Sequence, residues 1–150
     1  MNAAKIFNKF NKLPLGKTLF SKIICFIAPY FGSIKPRIDL IEPQRCIVFM
    51  KKRRRVTNHL NTVHAIAMCN MAELAGGMMT DASIPKGARW IPTGMEVKYL
   101  KKAKTHLTAT ADGSTINWSK EGTVKVPVSI TDLQGNEVFH AHIDMNIKHA

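Results

Sequence analysis

A chain of 150 residues, 45% of them hydrophobic, can fill one sizeable core but hardly two, so a single domain with an appended N-terminal segment is expected, residues 1–34 followed by 35–150. The 22 Lys and Arg against 10 Asp and Glu leave a formal charge of +12, which favours anionic partners such as nucleic acid, acidic lipid or phosphorylated cofactors. Cys25, Cys46 and Cys69 are odd in number, far apart and set among apolar residues, which argues against a disulfide framework or a CxxC metal site and for buried free thiols.

From residue 5 to residue 31, Phe7, Phe10, Leu19, Phe20, Ile23, Ile24 and Ile27 recur at helical spacing between lysines, with Pro14-Leu15-Gly16 as a break. Two short amphipathic helices follow from this pattern. They are expected to pack on the domain or, as basic amphipathic helices can, to make a peripheral membrane contact. The apolar run 23–28 is far too short to span a bilayer and no cleavage site follows it, so a cytoplasmic location is expected and the segment 1–32 is read as dispensable for the core.

Residues 37–42 and 45–52 read as two strands about a turn at Pro43-Gln44. Between Thr62 and Met79 a long helix is expected, with apolar residues nearly all round it, the pattern of a helix buried in a protein. Thereafter the period becomes two: Met95, Val97 and Tyr99, then residues 105–111 with a turn at Asp112-Gly113, then Val124 to Ile130, and last Phe139 to Ile147 after a turn at 134–136. Pro127 cannot donate to a ladder and places its strand at an edge or a bulge. Strands without αβ alternation predict an α+β fold with an antiparallel sheet, and a helix apolar on all sides requires the sheet to wrap it.

The link into that helix reads Asn58-His59-Leu60-Asn61-Thr62-Val63-His64-Ala65, and nine residues after His64 comes Glu73, the only acid in the apolar stretch. In this spacing of Asn58, Asn61, His64 and Glu73 the chain resembles hotdog-fold thioesterases of the phenylacetate-degradation type. Two departures mark it: Asn61 stands where those enzymes usually have Gly, and Ala65-Ile66 replaces a pair of glycines. It is thus more similar to a branch that reads Asn-x-x-Asn-Thr-x-His. The resemblance implies a hotdog fold, an acyl-CoA thioesterase-like hydrolase, a homodimer or homotetramer, and no cofactor beyond the coenzyme A of the substrate.

Elementary chemistry points to the same residues. Unpaired N–H groups near Val63, His64 and Ala65 at the helix start can polarise a thioester carbonyl. Glu73, among Ala72, Leu74 and Ala75, is a candidate base or nucleophile, its charged form disfavoured if buried. Nine residues at about 100° each put His64 and Glu73 on opposite faces, ~13.5 Å apart along the axis, so a shared site needs two chains related by a two-fold axis.

Arg53 and Arg55, from the basic run 51–55, with Lys101, Lys102 or Lys104 are expected to meet the phosphates of coenzyme A. His140 and His142 share a strand face but lack a completing ligand set, so no metal site is assigned. A non-catalytic hotdog module binding acyl-CoA or an acyl carrier protein is the first alternative. A basic nucleic-acid-binding protein is the second, although no recognised motif supports it.

Overall fold

The structure, a computed structural model, describes residues 3–149. Two helices open the chain, α1 (Ala3–Phe10) and α2 (Gly16–Ile27), followed by a 3-10 turn at Pro29–Ile34. Next come β1 (Arg37–Glu42), β2 (Arg45–Met50), a 3-10 turn at Arg54–Val56, and the long helix α3 (Ala65–Ser83). Four strands complete the fold: β3 (Arg89–Tyr99), β4 (Leu107–Asp112), β5 (Gly122–Thr131) and β6 (Glu137–Lys148). They form one antiparallel six-stranded sheet in the order β1-β2-β4-β5-β6-β3, which establishes the α+β class.

The sheet curves about α3, which contacts all six strands. Alternation along β6 explains how: Phe139, Ala141, Ile143, Met145 and Ile147 are all buried, and Val126, Val128 and Ile130 of β5 stand beside them. Close approach needs small residues on the helix. A Cβ at Gly76 would meet Ile143 Cδ1 at 3.0 Å, and one at Gly77 would meet the Trp90 ring at 2.8 Å, so any side chain there pushes α3 off the sheet. Pro127 lies in an interior strand, but the β4 ladder ends at Val128, so β5 is locally an edge where the proline falls.

The N-terminal segment is part of this core. Ala3, Phe7, Phe20 and Ile24 are buried in it, with Phe7 and Phe20 in edge-to-face contact at 5.3 Å between centroids. Polar tethers fix the same layer: Asp81 Oδ2 of α3 accepts from Ala3 N at 3.0 Å, and Ser21 Oγ accepts from Ile38 N at 2.8 Å. Burial of Phe7, Phe20 and Ile24 contributes roughly 5–9 kcal/mol by side-chain transfer, an upper figure comparable with the whole stability of a small domain. This packing reverses the expectation that residues 1–32 are dispensable.

Three further differences have plain causes. The helix begins at Ala65 rather than Thr62, because residues 58–64 are tied into a turn of their own. β3 starts at Arg89, its first half disguised by Pro92 and Gly94, between which the register with β6 shifts. Of the cysteines, only Cys46 is fully buried, which pushes its thiol up; Cys25 and Cys69 are half-buried, and all three are free.

Phe20→Ala is expected to lower the urea-unfolding free energy by about 3–5 kcal/mol, since it empties a core position. Phe26→Ala, six residues on but 86% exposed, should change it by less than about 0.5 kcal/mol.

Candidate functional site

The turn before α3 is built by Asn58. Its Oδ1 accepts from Leu60 N at 3.0 Å and Thr62 N at 3.1 Å, and its Nδ2 donates to Thr62 Oγ1 at 3.0 Å. The backbone closes the same loop, Asn58 N donating to Thr62 O at 2.9 Å and Asn61 N to Asn58 O at 3.0 Å. Such tight closure puts Asn61 at φ 55°, in the left-handed region where asparagine substitutes for glycine at modest cost. The departure from Gly noted in the sequence therefore preserves the backbone shape.

His64 is the N-cap of α3, and its Nδ1 accepts from Ile66 N at 3.1 Å. A ring nitrogen used as an acceptor leaves the proton on Nε2, which faces outward on an exposed side chain. Of the donors expected to polarise a carbonyl, Val63 N is taken by Ala103 O at 2.8 Å and His64 N by Val56 O at 2.8 Å. Ala65 N has no acceptor among the described residues. Of the three donors expected, only Ala65 N–H is left free; Ala67 N, in the same turn, also has no acceptor among the described residues, and the helix dipole reinforces both.

Ala65 lines a groove of about 420 Å³ together with Asn58, Thr62, Tyr99, Lys101 and Lys102, among others. Four of the candidate residues, Asn58, Ala65, Lys101 and Lys102, are therefore together. Neither arginine joins them. Arg53 donates to Ser33 O at 2.7 Å and ties the 3-10 turn of the N-terminal segment to the body, while Arg55 is exposed on the turn 54–56; the basic run is loop and 3-10 turn rather than a strand end.

Glu73 opens elsewhere. With Ile66, Cys69 and Asn70 it forms one helical stripe, and these four line a separate cavity of about 320 Å³ whose opposite wall is Ala28 to Phe31. Glu73 is half-buried there rather than enclosed by its neighbours in sequence. Asn70 beside it is 7% exposed; its Nδ2 donates to Ser33 Oγ at 3.1 Å and Tyr30 O at 3.3 Å, and its buried Oδ1 has no partner. A buried acceptor left open at a cavity wall is uncommon in a folded chain. Cys69 Sγ and Tyr99 Oη, 3.7 Å apart, bridge the two cavities, and this contact first, then burial, pushes the phenol up. Asn70, Tyr99 and Tyr30 were not singled out in the sequence; Asn70 carried a signal, being a polar residue within an apolar helix.

The histidines of β6 are occupied otherwise: His140 Nδ1 lies 2.8 Å from Glu137 Oε1, a carboxyl held below its usual range by the Ser129 hydrogen bond first and by His140 second, and His142 packs on His140. Among the described residues no group of three or more His, Cys, Asp and Glu could hold a metal ion. No described helix is long and apolar enough to cross a membrane.

Asn61→Gly is expected to leave the melting temperature unchanged or slightly raised. Asn61→Val should cost about 1–2 kcal/mol in unfolding free energy, because a β-branched residue is strained at positive φ.

Comparison with known proteins sets these features in context. Residues 16–147 match the family model described as a domain of unknown function (DUF4442). No curated protein matches the sequence. Among solved structures, a structural-genomics protein is 45% identical over 99% of this chain and 99% of its own, with a TM-score of 0.90. A Pseudomonas aeruginosa protein of unknown function, described as a probable thioesterase, is 20% identical, covering 92% of this chain and 97% of its own at a TM-score of 0.76. A thioesterase from Haemophilus influenzae is 12% identical, covering 80% and 82% at 0.72. The likeness to the last two is one of fold.

Proposed function

We propose that the chain, which belongs to the DUF4442 family, is an acyl-thioester hydrolase whose sites are completed by a second copy. The observation that carries this reading is the free Ala65 N–H at the start of α3, on a residue that lines a groove with two lysines. A thioester carbonyl seated there gains a hydrogen bond and the helix dipole as its oxygen becomes negative, the charge change that limits acyl transfer. Names given to two proteins of like fold, a thioesterase and a probable thioesterase, support the same chemistry.

In this mechanism a water attacks the carbonyl carbon while the Glu73 carboxylate takes its proton. The tetrahedral oxyanion rests on Ala65 N–H; when it collapses, the C–S bond breaks and the thiolate takes the proton back from Glu73. His64, with Nε2–H outward, offers a donor near the leaving group or the carbonyl.

Within one chain Glu73 serves a different cavity from Ala65, so the base must come from a partner's helix. The free edge of the sheet is suited to that pairing. β3 is 11 residues long, pairs only with β6, and leaves Ile91 62% and Tyr99 54% exposed, whereas the other edge, β1, is covered by α1 and α2. A two-fold axis across β3 would bring the two α3 helices alongside each other.

Glu73→Gln should reduce thiol release from a panel of acyl-CoA thioesters by ~10²–10⁴ without changing the sedimenting mass, because glutamine keeps the size and loses the base. Mixing inactive Glu73→Gln chains with His64→Ala chains, made inactive or impaired, should restore activity after subunit exchange, since one composite site then has both groups. Full activity of Glu73→Gln would remove the catalytic assignment; tight acyl-CoA binding by a wild-type chain without turnover would leave a binding module.

The lysines provide a separate check. Replacing Lys101 and Lys102 with Gln should raise KM for acyl-CoA substantially and leave a short thioester lacking the nucleotide unaffected, whereas Arg53→Gln should act on stability through its bond to Ser33.

A further inference from the structure

The outer face of α2 is unlike the rest of the surface. While Phe20 and Ile24 point into the core, Leu15, Leu19, Ile23 and Phe26, four, four and three residues apart, form an outward apolar ridge. Phe26 is 86% exposed, Leu15 82%, and Ile27 and Tyr30 continue the ridge past the end of the helix. Large apolar side chains scattered singly need no explanation, but a contiguous ridge does.

Charge indicates what covers it. Residues 1–38 contain Lys5, Lys9, Lys12, Lys17, Lys22, Lys35 and Arg37 and no acid; every one of the 10 Asp and Glu of the chain lies at Asp39 or beyond. Lys12 and Lys22 are exposed next to the ridge, and Lys22 and Lys35 share a groove of about 480 Å³ with Phe26. Asp39 is paired with Arg37 and Glu73 is half-buried in the cavity behind Tyr30, so the exposed charges that α2 itself carries are lysines. Such a ridge is complementary to a bilayer with acidic headgroups: the ridge enters the acyl boundary and the ammonium groups stay at phosphate level. A second copy of the chain, carrying the same unbalanced positive charge on this face, would be repelled.

We propose that this face of α2 docks the protein on anionic membranes, with the groove between Lys22 and Lys35 seating a phospholipid headgroup. The 3-10 turn that follows α2 supplies Ala28, Pro29, Tyr30 and Phe31 to the cavity holding Glu73, so docking would set that cavity close to the lipid surface. The docking itself is independent of the hydrolase reading.

The test is co-sedimentation of the full chain with vesicles of phosphatidylcholine alone and of phosphatidylcholine mixed with phosphatidylglycerol. The chain should bind the mixed vesicles, weaken as salt is raised, and leave the neutral vesicles largely in suspension. Leu19→Ser with Phe26→Ser should weaken binding by about tenfold for each residue. Lys12→Gln, Lys22→Gln and Lys35→Gln together should cost about fivefold each, roughly a hundredfold in all. Lys125→Gln with Lys148→Gln, exposed on β5 and β6, should change binding little. Thermal melting unchanged in all of these variants separates docking from folding. No binding to mixed vesicles, wild-type binding by the apolar double variant, or a sedimenting mass that falls when the ridge is made polar would each overturn the proposal, the last by showing a second copy on this face. Because binding and not turnover is read, failure here leaves the hydrolase proposal standing, and failure of that proposal leaves this one.

Discussion

Everything in this fold depends on a helix that has no polar side to give to water. Ten of the 19 residues of α3 are buried, and they fall all round the axis: Met71, Leu74 and Ala75 as well as Ala72, Gly76 and Met79. Such a helix must be covered from every direction, at a transfer gain of roughly 25 cal/mol per Å² of apolar surface. A six-stranded sheet curved about it covers most of the circumference, with Gly76 and Gly77 admitting β5, β6 and Trp90 to close range. The remaining side is closed by α1, α2 and the turn 29–34, which is why a segment that reads as an appendage in sequence is held by Asp81, Ser21, Asn70 and Arg53.

The same burial dictates where chemistry can occur. A helix enclosed along its length meets solvent at its ends and at the seams between its covers. One candidate groove lies at the N-terminus of α3, where Asn58 shapes the entry and Ala65 N–H is unpaired; the other lies at the seam between α3 and the N-terminal segment, where the half-buried Glu73 sits beside Asn70, whose buried Oδ1 is unpaired. Helical pitch keeps the two apart within one chain, so an activity that needs both must be a property of an assembly. The free β3 edge is the part of the sheet left for such an assembly, because the segment that closes the core also covers β1.

How much of this could be read from sequence follows from how local each determinant is. β1 is legible because apolar and β-branched residues dominate Arg37 to Glu42 and a proline sits at its turn, and β6 because five apolar residues alternate without a break. The first half of β3 was hidden, since Trp90-Ile91-Pro92-Thr93-Gly94 has the composition of a loop and is held in the sheet only by its partner β6. The turn 58–64 could be recognised by the spacing of Asn58, Asn61 and His64, but not which N–H it leaves free, since the acceptors of Val63 and His64 are Ala103 and Val56, the first some forty positions away in sequence. Arg53 misled for a related reason. A cation in a basic run reads as a phosphate ligand until the carbonyl that takes it, Ser33 O, is seen to lie across from it.

The N-terminal segment illustrates why burial cannot be read from amphipathicity alone. Residues Phe20, Ile23, Ile24, Phe26 and Ile27 are all apolar, and spacing spreads them over about 160° of α2; nothing in the sequence says which of them faces protein. The structure divides them by about one residue of rotation, ~100°, with Phe20 and Ile24 inward and Ile23 and Phe26 outward. A helix required only to close the core would gain solubility from polar residues on its outer face, as the exposed side of β5 does with Thr123 and Lys125. Here the apolar character is kept outside and every charge carried by α2 itself is positive, so the two faces answer to different surroundings: the inner one to α1 and β1, the outer one to a surface that is apolar within and negative at its boundary.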